Sequence, residues 1–297
     1  MLDSSESGCD DGLSGEEPPV SLCIAMTCEH ENKPGIVLCC DLAGTRGDVQ
    51  SEDIVKIRDV GYATVLLAGN MSNARELLIA CTQSIVEYPV NGDDLAITRL
   101  KEGLTKAVKQ RKRDVSTAVL SAELGLSWEE IFNHAQVHPN DPTLMEAWSR
   151  IKRLDLGAEL VVCTFTDDEA AILVVEASGK VIWVDHYAAV GTGSQIASTF
   201  LHQRPYADSM PLDECLYRAV EAKMAAERNP YVGPKTNLEF RTSSEISFIS
   251  NEYYAQLKAA TANWLHSRPT INFTGDILDT RRLKYPAVKS RTPGPSA

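Results

Sequence analysis

The sequence predicts an α+β chain in which two antiparallel sheets are sandwiched between helical layers, a four-layer αββα arrangement. Three observations predict it. An apolar hairpin occupies residues 20–41, a second group of strand-like runs occupies 159–187, and helical patterns separate and follow them. Elements ordered as strands, helices, strands, helices and a last strand pack most simply as two sheets, each with one face on the other and one face under helices.

Residues 1–19 carry six acidic and no basic residues, with Gly, Ser and a Pro18-Pro19 stop. That composition buries too little apolar surface to order itself, so the folded domain is expected over 20–283, between an acidic tail and a basic Pro/Ser tail at 284–297. From Val20, apolar residues run to Cys28. A polar loop with Pro34 and Gly35 follows, and a second apolar strand ends on the carboxylate of Asp41. Ile54-Val55-Lys56-Ile57 sets one lysine in an apolar run, and Val65-Leu66-Leu67-Ala68-Gly69 ends a strand on glycine. Asn70 or Ser72 then caps a helix with Ala74, Leu77, Leu78, Cys81 and Ile85 in phase, which stops near Tyr88-Pro89.

Residues 90–157 read as a charged helical insertion. Leu95, Leu100, Leu104 and Val108 form one stretch, Val115 to Leu124 a second, and Ser127 caps a third that starts at Trp128. Three strands are expected at 159–165, 170–176 and 181–187, joined by hairpin turns. Gly191-Thr192-Gly193-Ser194 leads into a helix at 195–202, and a further helix runs over 211–227. A last strand is expected at 237–240 and a terminal helix at 250–265.

With 41 acidic against 29 basic residues the net charge is −12, which opposes binding to nucleic acid or an anionic membrane. The run Lys109-Gln110-Arg111-Lys112-Arg113 is read as a solvated helix face. The eight cysteines are scattered without a Cys-x-x-Cys pair, and no apolar run approaches the roughly 18 residues of a membrane span. Reduced thiols in a cytoplasmic protein are expected, with Cys39 and Cys40 on opposite faces of one strand. His134 and His138 lack the further ligands of a metal site, and Gly191-x-Gly193 lacks the third glycine of a dinucleotide loop, so neither metal nor cofactor is expected.

Five blocks in order resemble the proteasome β-type family of N-terminal nucleophile hydrolases. They are Ser21-Leu22-Cys23-Ile24-Ala25-Met26, the strand from Gly35 to Asp41, Ile54-Val55-Lys56-Ile57, Ala68-Gly69-Asn70, and Gly191-Thr192-Gly193-Ser194. The resemblance implies a peptidase whose nucleophile is the Ser21 hydroxyl and whose general base is the Ser21 α-amine, freed by removal of the residues before it. It also implies that Asp41 holds Lys56, that Lys56 supplies positive charge beside the nucleophile, and that the Gly69 N–H stabilises the oxyanion. Thr192 or Ser194 would bond the free amine. A peptide or protein substrate and self-assembly into a ring or helical stack are further implications.

The chain departs from the family pattern at four positions. Ser21 replaces threonine, Val20 replaces the preceding glycine, and Asn229 and Val232 stand where a carboxylate and a hydroxyl assist the amine. A second function therefore stays open: a non-catalytic subunit or scaffold that acts through assembly and partner binding.

Overall fold

The structure, a computed structural model, describes residues 21–262 except 47–48, 52–53, 88–93, 126, 139–140, 167–168, 204 and 207–209, and residues 283–284. The tails at 1–19 and 285–297 and the expected helix stop at Tyr88-Pro89 lie outside the described residues.

Strands β1 (Cys23–His30) and β2 (Lys33–Asp41) pair antiparallel from Cys23↔Cys40 to His30↔Lys33. The turn between them is tighter than the sequence suggests. Glu31 and Asn32 both take positive φ, at 53° and 59°, as a two-residue hairpin turn requires, which leaves Pro34 and Gly35 inside β2. Glycine is needed at 35 because a Cβ there would run into the Phe240 ring.

A small hairpin of β3 (Gly44–Arg46) and β4 (Val49–Ser51) follows, and then β5 (Ile57–Val60) and β6 (Ala63–Gly69). Lys56 lies just before β5, not inside a strand. Helix α1 (Met71–Glu87) starts where Asn70 Oδ1 accepts the Ser72 and Asn73 N–H groups at 3.0 and 3.2 Å, so Asn70 is the cap.

The two helical stretches expected over residues 95–124 are one helix, α2 (Asp94–Leu124), in which Ile97 is buried and Leu95 is exposed. Its 31 residues carry no proline or glycine sharp enough in effect to stop it, Gly103 included. Helix α3 (Trp128–Val137) has Ser127 as N-cap, in a capping box with Glu130. Helix α4 (Pro142–Lys152), capped by Asp141, is an element that the sequence reading left unassigned.

Strands β7 (Ala158–Phe165) and β8 (Ala170–Val175) fall as expected. The run at 181–187 does not form one strand. It divides into β9 (Val181–Val184) and β10 (Tyr187–Val190), and Asp185-His186 carries the chain from one sheet to the other. Helices α5 (Ser194–His202) and α6 (Leu212–Ala226), strands β11 (Thr236–Arg241) and β12 (Glu245–Phe248), helix α7 (Asn251–Ala262) and the short strand β13 (Leu283–Lys284) complete the chain. Lys284 thus belongs to the sheet and not to a tail.

The first sheet has the order β10-β1-β2-β11-β12-β13 and the second β5-β6-β7-β8-β9, with every pairing antiparallel. Period-two alternation gives the central strands β1, β2, β6 and β7 two apolar faces. Leu22, Ile24, Met26 and Cys39 pack under α5, α6 and α7, whereas Cys23, Ala25, Leu38 and Cys40 meet Leu66, Val161 and Cys163 between the sheets. Cys39 and Cys40 do lie on opposite faces. Val65, Leu67, Leu160 and Val162 pack under α1 and α2. The four layers are helices, sheet, sheet and helices, the αββα sandwich that the element order predicts. A polar clamp joins the sheets, because buried Arg241 on β11 reaches Asp59 and Thr64 on the second sheet as well as Glu239 on its own strand.

Candidate active site

Asp41 ends β2 with no exposed surface, so its carboxylate needs internal partners. It has three. Oδ1 accepts the Leu22 N–H at 2.7 Å and the Lys56 ammonium at 2.5 Å, and Oδ2 accepts the Gly233 N–H at 3.1 Å. The Asp41 N–H in turn donates to Leu22 O at 3.0 Å, which ties the aspartate to the residue after Ser21. Lys56 is held by its own backbone, since the Leu67 N–H donates to Lys56 O at 2.9 Å and extends the β5–β6 ladder by one residue.

Ser21 is fully buried, and its Oγ accepts the Gly69 N–H at 2.9 Å. The glycine is demanded by geometry. Its φ is 89°, and a Cβ there would lie 2.6 Å from Gly157 O and 2.9 Å from the Ala158 Cα on the neighbouring strand. The turn at 191–194 closes the other side through its backbone. The Gly193 N–H donates to Ser21 O at 3.3 Å, and at Gly191 (φ 92°) a Cβ would lie 2.5 Å from Ser21 O and 2.6 Å from Ser21 Oγ.

Four of the residues singled out from the sequence thus come together as two linked pairs, Ser21 with Gly69 and Asp41 with Lys56, joined through Leu22. Among the described residues, no hydrogen bond links Ser21 Oγ to the Lys56 ammonium. Thr192 and Ser194 lie on the turn beside Ser21, where the Ser194 N–H donates to Gly191 O at 2.9 Å and Thr192 O accepts the Asn229 amide at 3.4 Å. Val232 fits against Gly193, where a Cβ would meet its methyl at 2.6 Å.

Sequence reasoning missed Glu159, whose Oε2 accepts the Gly191 N–H at 2.8 Å. A carboxylate at the start of the apolar run Leu160-Val161-Val162-Cys163 was the available signal. It also missed the part of Gly233 in holding Asp41. His134 bonds Asp141 at 2.8 Å on the surface, and no group of three or more metal-binding side chains occurs among the described residues. A cavity of about 530 Å³ lies away from Ser21, at the far end of β1, lined by Glu29, Lys33, Trp183, Asp185 and His186 among others.

The two facing antiparallel sheets with helices outside both form a four-layer αββα sandwich. A family model described as Proteasome subunit matches residues 144–239, from α4 to β11. The matched stretch includes Thr192 and Ser194 and stops short of Ser21, Asp41, Lys56 and Gly69. Among solved structures, eukaryotic HslV from Trypanosoma brucei is similar at 15% identity and a TM-score of 0.46, over 74% of this chain and 99% of that one. No curated protein matches.

Proposed function

We infer that this chain is a proteasome-like N-terminal nucleophile hydrolase, a peptidase that cleaves amide bonds through Ser21 after the residues before it are removed. The observation that carries the reading is the 2.9 Å hydrogen bond from the Gly69 N–H to Ser21 Oγ, one residue from the buried Asp41–Lys56 pair. A freed α-amine has a pKa of about 8 and takes the hydroxyl proton as Oγ attacks the substrate carbonyl carbon. The Gly69 N–H then turns to the developing oxyanion, and the proton passes to the leaving amine. Water releases the acyl group by the reverse use of the same amine. The Lys56 charge, fixed by Asp41, favours the anionic character that builds on Oγ and the oxyanion.

Peptide or protein substrates, assembly into a ring or helical stack, and a cytoplasmic setting belong to the same reading. No described helix is long and apolar enough to cross a membrane.

A specific observation favours the second reading, a non-catalytic subunit. The Asn229 side chain serves its own loop, accepting the Tyr231 N–H at 3.0 Å and donating to Thr192 O, and Val232 offers no hydroxyl. The test compares wild type with Ser21→Ala on fluorogenic peptides. Turnover that the alanine variant loses supports the hydrolase. Undiminished turnover moves the nucleophile elsewhere, and a silent wild type favours the subunit.

A further inference from the structure

Glu159 is out of pattern. Alternation along β7 puts it on the face of Val161 and Cys163, the apolar space between the sheets. It is directly opposite Ala68 on β6, one residue from Gly69. A half-buried carboxylate there loses hydration, and what it gains is the Gly191 N–H at 2.8 Å. Gly191 sits on β10's trailing turn in the other sheet, with its Cα close enough to Ser21 that no side chain fits between them. Glu159 thus reaches from the oxyanion side of the site to the turn that backs the serine.

We propose that Glu159 is a positioning residue for Ser21: its ionised carboxylate pins Gly191 against the serine, and proton uptake by Glu159 slackens that contact. The proposal rests on Ser21 being the nucleophile for its consequence, though not for the contact itself. Burial raises the Glu159 pKa above the ordinary carboxylate range, the Gly191 hydrogen bond opposes that shift, and the charged groups that bear on it, Asp155 before β7 and Glu176 after β8, are both acidic and reinforce it. The slackening therefore sets in at a pH higher than an exposed glutamate would show.

The test reads amide hydrogen exchange in the full chain at the peptide spanning 191–193, each variant against wild type at the same pH. Glu159→Ala removes the acceptor, and protection should fall about tenfold at pH 7, as expected for a hydrogen bond to a charged group. Glu159→Gln keeps the shape and an acceptor but cannot titrate. Without the charge it should fall between wild type and Glu159→Ala at pH 7, and it should lack the wild type's decline on acidification. Equal protection in wild type and Glu159→Ala would overturn the proposal.

A second readout is covalent labelling of Ser21 by a fluorophosphonate in protein purified from its host. The labelling rate should drop on acidification more steeply in wild type than in Glu159→Gln, whereas identical pH profiles would overturn the link to Ser21. A wild type that never labels at Ser21 counts against the nucleophile, and the exchange result still decides the contact.

Discussion

Lys56 Nζ lies 2.5 Å from Asp41 Oδ1 with neither side chain exposed, yet the two residues depend on each other unequally. Asp41 keeps the Leu22 and Gly233 N–H groups if the lysine is lost. The ammonium's hydrogen bond among the described residues is to Asp41. Breaking a buried pair from one side costs about 3–5 kcal/mol, because a charge is left uncompensated. Asp41→Leu should therefore reach or exceed that range in urea unfolding, and Lys56→Met should cost less. The double variant should cost less than the sum of the singles, since no orphaned charge remains.

Gly191→Ala should be among the most damaging single-methyl changes in the chain. The φ of 92° disfavours any side chain, and the added Cβ would sit 2.5 Å from Ser21 O. A loss of about 2 kcal/mol or more is expected by denaturant unfolding, together with loss of any Ser21 reactivity. Gly125→Ala, at a similar positive φ of 65° with nothing near its Cβ, is the control and should cost about 1 kcal/mol.

Glu159 makes stability depend on pH with a definite sign. Its folded-state pKa is raised by burial, so the folded chain holds the proton more tightly than the unfolded one. The stabilising contribution is complete below the unfolded value and is lost as pH rises through the raised folded value. Glu159→Gln should thus be more stable than wild type at pH 7 in thermal unfolding, with the advantage shrinking towards pH 4.

Seven cysteines, all but Cys9, are buried with free thiols. Burial pushes the Cys39 and Cys81 thiols up to about 12, and Cys163 is raised further by the same cause. All seven are shielded from the reagent by burial, so Ellman's reagent should leave them untouched in native protein and react with all of them in guanidinium.

The paired strands, the Asn70-capped helix and the order of layers were legible because hydrophobic period and turn residues are local. Asp41, Lys56 and Gly69 could be singled out because a charge or a glycine interrupts an apolar run. The split at Asp185-His186 was not legible, since strands of different sheets carry the same alternation and only packing decides which partner each takes. Helix α4 was overlooked although Asp141 and Pro142 signal its start. The link from Glu159 to Gly191 spans 32 residues and two sheets, a juxtaposition that no spacing rule reports.

The central claim, that Ser21 acts as an N-terminal nucleophile, is tested most directly by the intact mass of protein purified from its own host. The account predicts a species that begins at Ser21. A chain that still carries the residues before Ser21 would keep the amine in a peptide bond and contradict it.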